Sequence, residues 1–190
     1  MSTSTPDADQ PEQIVWEGRY ISAKKRGRWE YVGRPRNIRA AVILAVEDGP
    51  SGDAQDRHVI LVEQYRVPLG KRCLELPAGL IGDHDDVAGE PDEVAAAREL
   101  EEETGYIAGR MENLGEFFSS PGMVSESFTL FRAHGLKKVS EGGGTDSEDI
   151  IVHRVRLDEI QQFIADWRAA GHAVDVRLAI LLAGEFLKDK

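Results

Sequence analysis

Glutamates crowd one short stretch of this chain: Glu99, Glu101, Glu102 and Glu103 follow Arg98 and precede Gly105, a residue able to stop a helix. At 3.6 residues per turn, Glu99, Glu102 and Glu103 fall on one helical face, at i, i+3 and i+4. Carboxylates stacked on one stripe repel each other unless a positive charge lies between them. A hard divalent cation such as Mg²⁺ is the natural counter-charge, because it prefers oxygen ligands and binds phosphates at the same time. The bland alternative is a solvated acidic helix face, and for an isolated Glu-Glu-x-Glu pattern that alternative is the better reading.

The surrounding spacing argues for chemistry. Glu90 stands eight positions before Arg98, and the turn Leu76-Pro77-Ala78-Gly79 lies upstream. The pattern Glu-x7-Arg-Glu-Leu-x-Glu-Glu-x-Gly-Tyr ends at Tyr106. It resembles the signature of the Nudix hydrolases, Gly-x5-Glu-x7-Arg-Glu-U-x-Glu-Glu-x-Gly-U, where U is bulky and apolar. One departure is plain: ten residues, not five, separate Gly79 from Glu90. The extra residues fall in a polar stretch, 82–89, that reads as a lengthened loop, and loops take insertions at small entropic cost.

The resemblance implies hydrolysis of a pyrophosphate bond joined to a nucleoside. Glu99 and Glu103 are expected as metal ligands, with Glu102 joining directly or through water, and the backbone carbonyl of Ala78 is the matching ligand position in the family. Mg²⁺ is the expected ion and Mn²⁺ an alternative. Arg98 and Glu90 read as an ion pair holding loop against helix; Gly79 and Gly105 read as backbone devices. Flanking segments 62–66 and 74–81, together with Pro121 sixteen positions after Gly105, are similar to the ADP-ribose pyrophosphatase branch. That branch carries its general base on a loop well after the acidic helix, which here is 145–150. Glu148 is the expected base and Glu102 a second catalytic candidate; Asp149 is a further alternative, and a merely solvated loop competes with all three.

Substrate contacts follow from the same comparison. Trp29 and Glu30 resemble an adenine-binding pair, offering an aromatic face and a polar group for the base edge. Trp16 matches a second stacking tryptophan, contributed by the partner subunit in dimeric relatives; simple packing of a β-hairpin explains it nearly as well. Arg34 and Arg66 carry planar forks suited to phosphate or ribose oxygens, and Glu75 is placed to orient ribose or an arginine. The five histidines show no ligand spacing.

The elements that must hold these residues can be sketched. Residues 15–32 read as two short strands joined at Gly27. Strands are expected over 40–46, 59–66, 73–76, 114–119, 127–133 and 150–155. Helices are expected over 91–104, with Val94, Ala97 and Leu100 inward, over 157–170 with Ile160, Phe163, Ile164 and Trp167 on one face, and over 175–187. Interleaved strands and helices without a strict βαβ period point to an α/β fold with a mixed sheet. The resemblance implies the same: a Nudix-type α/β/α sandwich around a mixed sheet, with a small N-terminal β element. The organisation expected is a disordered tail over 1–12, an N-terminal β element for dimerisation and adenine contact over 13–38, and a hydrolase domain over 39–190.

Composition sets outer limits. At 190 residues and 41% apolar content, the chain suits one domain with a sizeable core. A net charge of −11 disfavours non-specific binding to nucleic acid or an anionic membrane. The single cysteine, Cys73, precludes an intrachain disulfide and fits a cytoplasmic setting; its apolar neighbours make it a core residue rather than a nucleophile. The expected activity is therefore Mg²⁺-dependent cleavage of ADP-ribose to AMP and ribose 5-phosphate by a homodimer. Cleavage of another nucleoside diphosphate sugar such as GDP-mannose, or of a dinucleotide, is the second reading, and a nucleotide-sensing domain that binds without cleaving is the third.

Overall fold

The strand Arg39–Glu47 shows how the fold is layered. Its residues alternate between two separate cores: Ala41, Ile43 and Ala45 pack into one, and Val42, with Leu44 and Val46, into the other. Side chains two apart on a strand share a face, so a strand apolar on both faces must lie between two layers. The computed structural model describes residues 7–35, 38–49, 56–81, 90–145 and 148–186. The polar stretch 82–89 and residues 1–6 lie outside the described residues.

The strands are β1 (Gln13–Glu17), β2 (Ser22–Arg26), β3 (Trp29–Gly33), β4 (Arg39–Glu47), β5 (His58–Arg66), β6 (Lys71–Glu75) and β7 (Ala78–Ile81). Then come β8 (Tyr106–Ile107), β9 (Arg110–Phe118), β10 (Ser127–His134), β11 (Lys137–Lys138), β12 (Ile150–Arg156) and β13 (Ala173–Val174). The helices are α1 (Asp92–Thr104), α2 (Ile160–Ala169) and α3 (Ala179–Phe186). Eight strands form one sheet in the order β13-β6-β5-β4-β10-β9, with β12 paired to β5 and β7 to β4. The pairs β4–β10 and β6–β13 are parallel and the others antiparallel, so the sheet is mixed. Helix α1 covers one face through Ala95, Ala96 and Leu100. Helices α2 and α3 cover the other through Ile160, Ile164 and Leu182, making the α/β/α sandwich.

Several differences from the sequence reading bear on how the site is held. Val94 is 51% exposed, and the buried stripe of α1 is Ala95, Ala96, Leu100, Glu103 and Thr104. Alanines carry little hydropathic contrast, so the helix is turned by its glutamates instead. The Pro77-Ala78-Gly79 turn passes at once into β7, antiparallel to β4 with Gly79 opposite Ala41. The N-terminal element has three strands rather than two, because the polar segment Ser22–Arg26 is the middle strand of a β1-β2-β3 sheet. Glu12, just before β1, accepts a 2.6 Å hydrogen bond from Tyr31 and pairs with Lys24 at 3.0 Å.

Candidate active site

The acidic helix faces the β7 edge. Its last turn carries Glu103, whose Oε2 accepts a 2.9 Å hydrogen bond from the backbone N–H of Ala78. Glu99, one turn earlier, lies over Gly79. A side chain on Gly79 would put its Cβ 2.0 Å from the carboxyl carbon of Glu99. Gly79 is therefore a space requirement: the missing methyl is where the Glu99 carboxylate sits. Glu103 is 7% exposed, and burial is the main cause that pushes its carboxyl up to about 8. Ala78's N–H works against the shift, and the nearby charges of Glu99 and Glu148 add to it.

Arg98 holds the outer acids. Its Nη1 donates to Glu99 at 2.8 Å and to Glu102 at 3.3 Å, and its Nη2 lies 3.7 Å from Glu90. Burial alone would lower the Arg98 pKa, yet Glu99, Glu102 and Glu90 raise it. The guanidinium is the internal counter-charge of the cluster. Among the described residues, no three acids, histidines or cysteines converge on one point as a ready-made metal cage. The donor set still fits a hard cation: carboxylate oxygens on one helical face, one of them buried at the cost of its ionisation.

These groups line a cleft of about 600 Å³. Ala78, Gly79 and the acids Glu99, Glu102, Glu103 and Glu148 line it together with Arg34, Arg66, Glu75, Asp175 and Arg177. Arg66 grips Glu75 with both arms of its fork, at 2.6 and 2.8 Å. Glu75 also accepts from Arg177 at 3.1 Å, and Arg177 is held to Asp175 at 2.7 Å. Arg34 is paired with Glu126. Among the described residues, four guanidiniums and seven acid side chains thus line one cavity.

Glu148 reaches the cleft on a loop fastened to α1. The last carbonyls of an α-helix lack partners within it. Here Gly143 N–H donates to the Glu103 carbonyl at 2.9 Å and Gly144 N–H to the Glu102 carbonyl at 3.0 Å. Gly142, Gly143 and Gly144 take φ of +67°, +112° and +77°, conformations that side-chain-bearing residues avoid. Gly105 caps the helix at φ +74°, and a Cβ there would sit 2.2 Å from the Ser140 carbonyl oxygen. Glu148 itself accepts from the Thr145 N–H at 2.9 Å and hydroxyl at 3.2 Å.

The cleft does not gather every candidate. Trp16 and Trp29 are 56% and 50% exposed on the β1-β2-β3 sheet, and neither they nor Glu30 line the cavity of the single chain. Glu30 lies 3.9 Å from Lys25. Arg177, Asp175, Glu126 and Thr145 line the cavity without having been singled out in the sequence. Only Asp175 had a local signal, as the residue whose side chain accepts from the Arg177 N–H at the start of the C-terminal helical segment. Cys73 is buried, and desolvation pushes its thiol up to about 12, so it is no nucleophile.

Comparison with known proteins agrees with this geometry. The NUDIX domain model matches residues 36–174. A methanol dehydrogenase activator from Bacillus methanolicus is 38% identical over 136 residues, covering 71% of each protein. The ADP-ribose pyrophosphatase of Bacillus subtilis is 33% identical over 126 residues, covering 66% of this chain and 62% of that protein. A crystal structure of an ADP compounds hydrolase superposes with a TM-score of 0.64 at 24% identity, covering 92% of this chain and 93% of the other, a likeness of fold.

Proposed function

The chain belongs to the NUDIX domain family and is a Nudix hydrolase, and from that premise we propose that it cleaves the pyrophosphate bond of ADP-ribose, with Mg²⁺ bound, to AMP and ribose 5-phosphate. The observation that carries this reading is the charge balance of the cleft: among the described residues, six carboxylates and the buried, proton-holding Glu103 outnumber four guanidiniums. Such a cavity repels a diphosphate unless cations enter with it. Glu99, Glu102 and Glu103, with the carbonyl of Ala78, are the groups that would hold those cations. When bound, the metal neutralises the phosphate oxygens and lowers the pKa of a coordinated water.

The chain's own residues do the rest. Arg66 and Arg34 present planar donors to the diphosphate and ribose, and Glu75 keeps the Arg66 fork flat along the wall. Glu148 takes the proton of the attacking water as the general base. Adenine is received by Trp29 and Glu30, with Trp16 supplied by a second copy. Exposed Trp16, Ile14 and Val15 lie on a three-stranded sheet that has little core of its own, which supports a homodimer. Among the described residues no helix is long and apolar enough to cross a membrane, and one buried free cysteine suits a cytoplasmic setting.

The test is a substrate panel with and without Mg²⁺ or Mn²⁺: ADP-ribose, GDP-mannose, other nucleoside diphosphate sugars and dinucleotides. ADP-ribose should give the highest kcat/KM, with AMP as product. No metal-dependent cleavage of any substrate would leave a sensing domain instead. A better rate on GDP-mannose would retain the chemistry and change the base. That second reading has a specific basis, since among the described residues no base-stacking tryptophan lines the cleft of the single chain.

A further inference from the structure

We propose that Arg72, outside the cleft, is a positioning residue that fixes Glu148 through its neighbour Asp149. The proposal rests on the reading of Glu148 as the base. The loop bearing Glu148 is fastened at its start, where Gly143 and Gly144 bind the carbonyls of Glu103 and Glu102. Its far end runs into β12 at Ile150, and one residue earlier a side-chain anchor is added by Arg72 on β6. Its Nη1 donates to the Asp149 carboxylate at 2.7 Å and its Nη2 to the Asp149 backbone carbonyl at 3.2 Å. One fork thus holds both the side chain and the main chain of the residue next to Glu148.

Arg72 is in turn held. Glu63 on the neighbouring strand β5 pairs with its Nε, and Glu63 also takes a 2.8 Å contact from His153 Nε2 on β12. The order His153, Glu63, Arg72, Asp149 crosses adjacent strands, since β5 pairs with both β6 and β12. Glu63 is 8% exposed, Arg72 and His153 are partly buried, and the tip of the clamp, Asp149, is open to water. Immediately after Asp149 the chain joins β12, with Ile150 opposite Gln64 and Ile151 opposite Glu63. Glu148 therefore stands directly before the guanidinium anchor on the sheet, four positions after the glycine anchor on α1. Asp149 is a counter-ion rather than a rival base.

The test is steady-state kinetics on ADP-ribose with saturating Mg²⁺ for Arg72→Ala, Asp149→Asn, Glu148→Gln and the double variant Arg72→Ala/Glu148→Gln. Glu148→Gln should lower kcat by roughly 10²–10⁴-fold, the usual worth of a general base. Arg72→Ala should lower kcat by about 10–100-fold with KM within about twofold, as expected for displacing a catalytic group by around an ångström. Asp149→Asn keeps the bond to its own carbonyl and should fall between Arg72→Ala and the wild type. It also spares the Arg72–Glu63 pair, so it tests the clamp if Arg72→Ala folds poorly. In the Glu148→Gln background, Arg72→Ala should change kcat no further. An equal loss in both backgrounds, or wild-type kcat in both Arg72→Ala and Asp149→Asn, overturns the proposal. Wild-type kcat in Glu148→Gln overturns the base assignment itself, a different failure visible in a different variant.

Discussion

Glu103 makes the metal-free fold sensitive to pH, and the sign can be worked out. Its carboxyl is pushed from 4.5 up to about 8 in the fold, chiefly by burial. Between those values the native chain holds a proton that the unfolded chain has released. Stability therefore falls as pH rises through this window and levels off above it. Each unit is worth about 1.4 kcal/mol, so the whole window amounts to something on the order of 5 kcal/mol. Glu103→Gln removes the effect, because a glutamine stays neutral and its carbonyl can still accept from the Ala78 N–H. Urea denaturation in excess EDTA at pH 5, 6.5, 8 and 9 measures it. The variant should match the wild type near pH 5 and exceed it by several kcal/mol at pH 9. Added Mg²⁺ should restore the wild type at high pH and do little for the variant. A difference between the two proteins that stays constant with pH would refute the reasoning, because it would mean Glu103 ionises in the fold as easily as out of it.

Three further outcomes are expected. Gly79→Ala puts a methyl into the space of the Glu99 carboxyl, 2.0 Å from its carbon; Mg²⁺ titration should show at least about tenfold weaker binding, and stability should fall by ~1–3 kcal/mol as for other overpacked sites. Gly142→Ala asks a side chain to adopt φ +67° with its Cβ 2.4 Å from the Thr104 carbonyl carbon. A loss of ~1–3 kcal/mol, read as a lower Tm, should accompany a fall in kcat, and an unchanged kcat would detach the glycine loop from catalysis. Replacing Trp16 and Trp29 together by alanine should raise KM for ADP-ribose about tenfold or more, near the value of ~1.4 kcal/mol per decade, with kcat little changed; light scattering on the wild type should give a dimer mass, and a monomer would remove Trp16 from the site.

What could be read from the sequence was local. The acids of α1 are legible because charge at i, i+3 and i+4 has one physical meaning on a helix, and Arg98 and Glu90 are legible because one helix start separates them. The rotation of α1 was not, since Ala95, Ala96 and Ala97 are equally content inside or out. The middle strand Ser22–Arg26 was missed because it is polar and its partners, not its own pattern, make it a strand. Arg177 in the cleft and Arg72 outside it were missed for a different reason. Arg177 meets Glu75 across 102 positions, and Arg72 meets Asp149 across 77. No periodicity in either segment encodes such a meeting; sheet order does, and sheet order is set by the whole chain.

The pairing inside the cleft constrains how a substrate enters. Arg66, Arg98 and Arg177 each carry carboxylate partners at 3.1 Å or less, and Arg34 is closed on Glu126. A diphosphate arriving alone would have to break those bonds inside a cavity already rich in negative charge. A diphosphate arriving with divalent cations faces a different exchange. A metal held by Glu99 and Glu102 would relieve Arg98 of two of its three acidic partners, leaving Glu90 at 3.7 Å, and would free part of its guanidinium for the diphosphate. Binding of cation and substrate should then be mutually favourable, each raising the affinity for the other by the same factor. Arg98 would serve as a placeholder cation in the metal-free chain. Arg98→Gln should accordingly weaken this coupling, while ADP-ribose binding without Mg²⁺, followed by calorimetry, should change little.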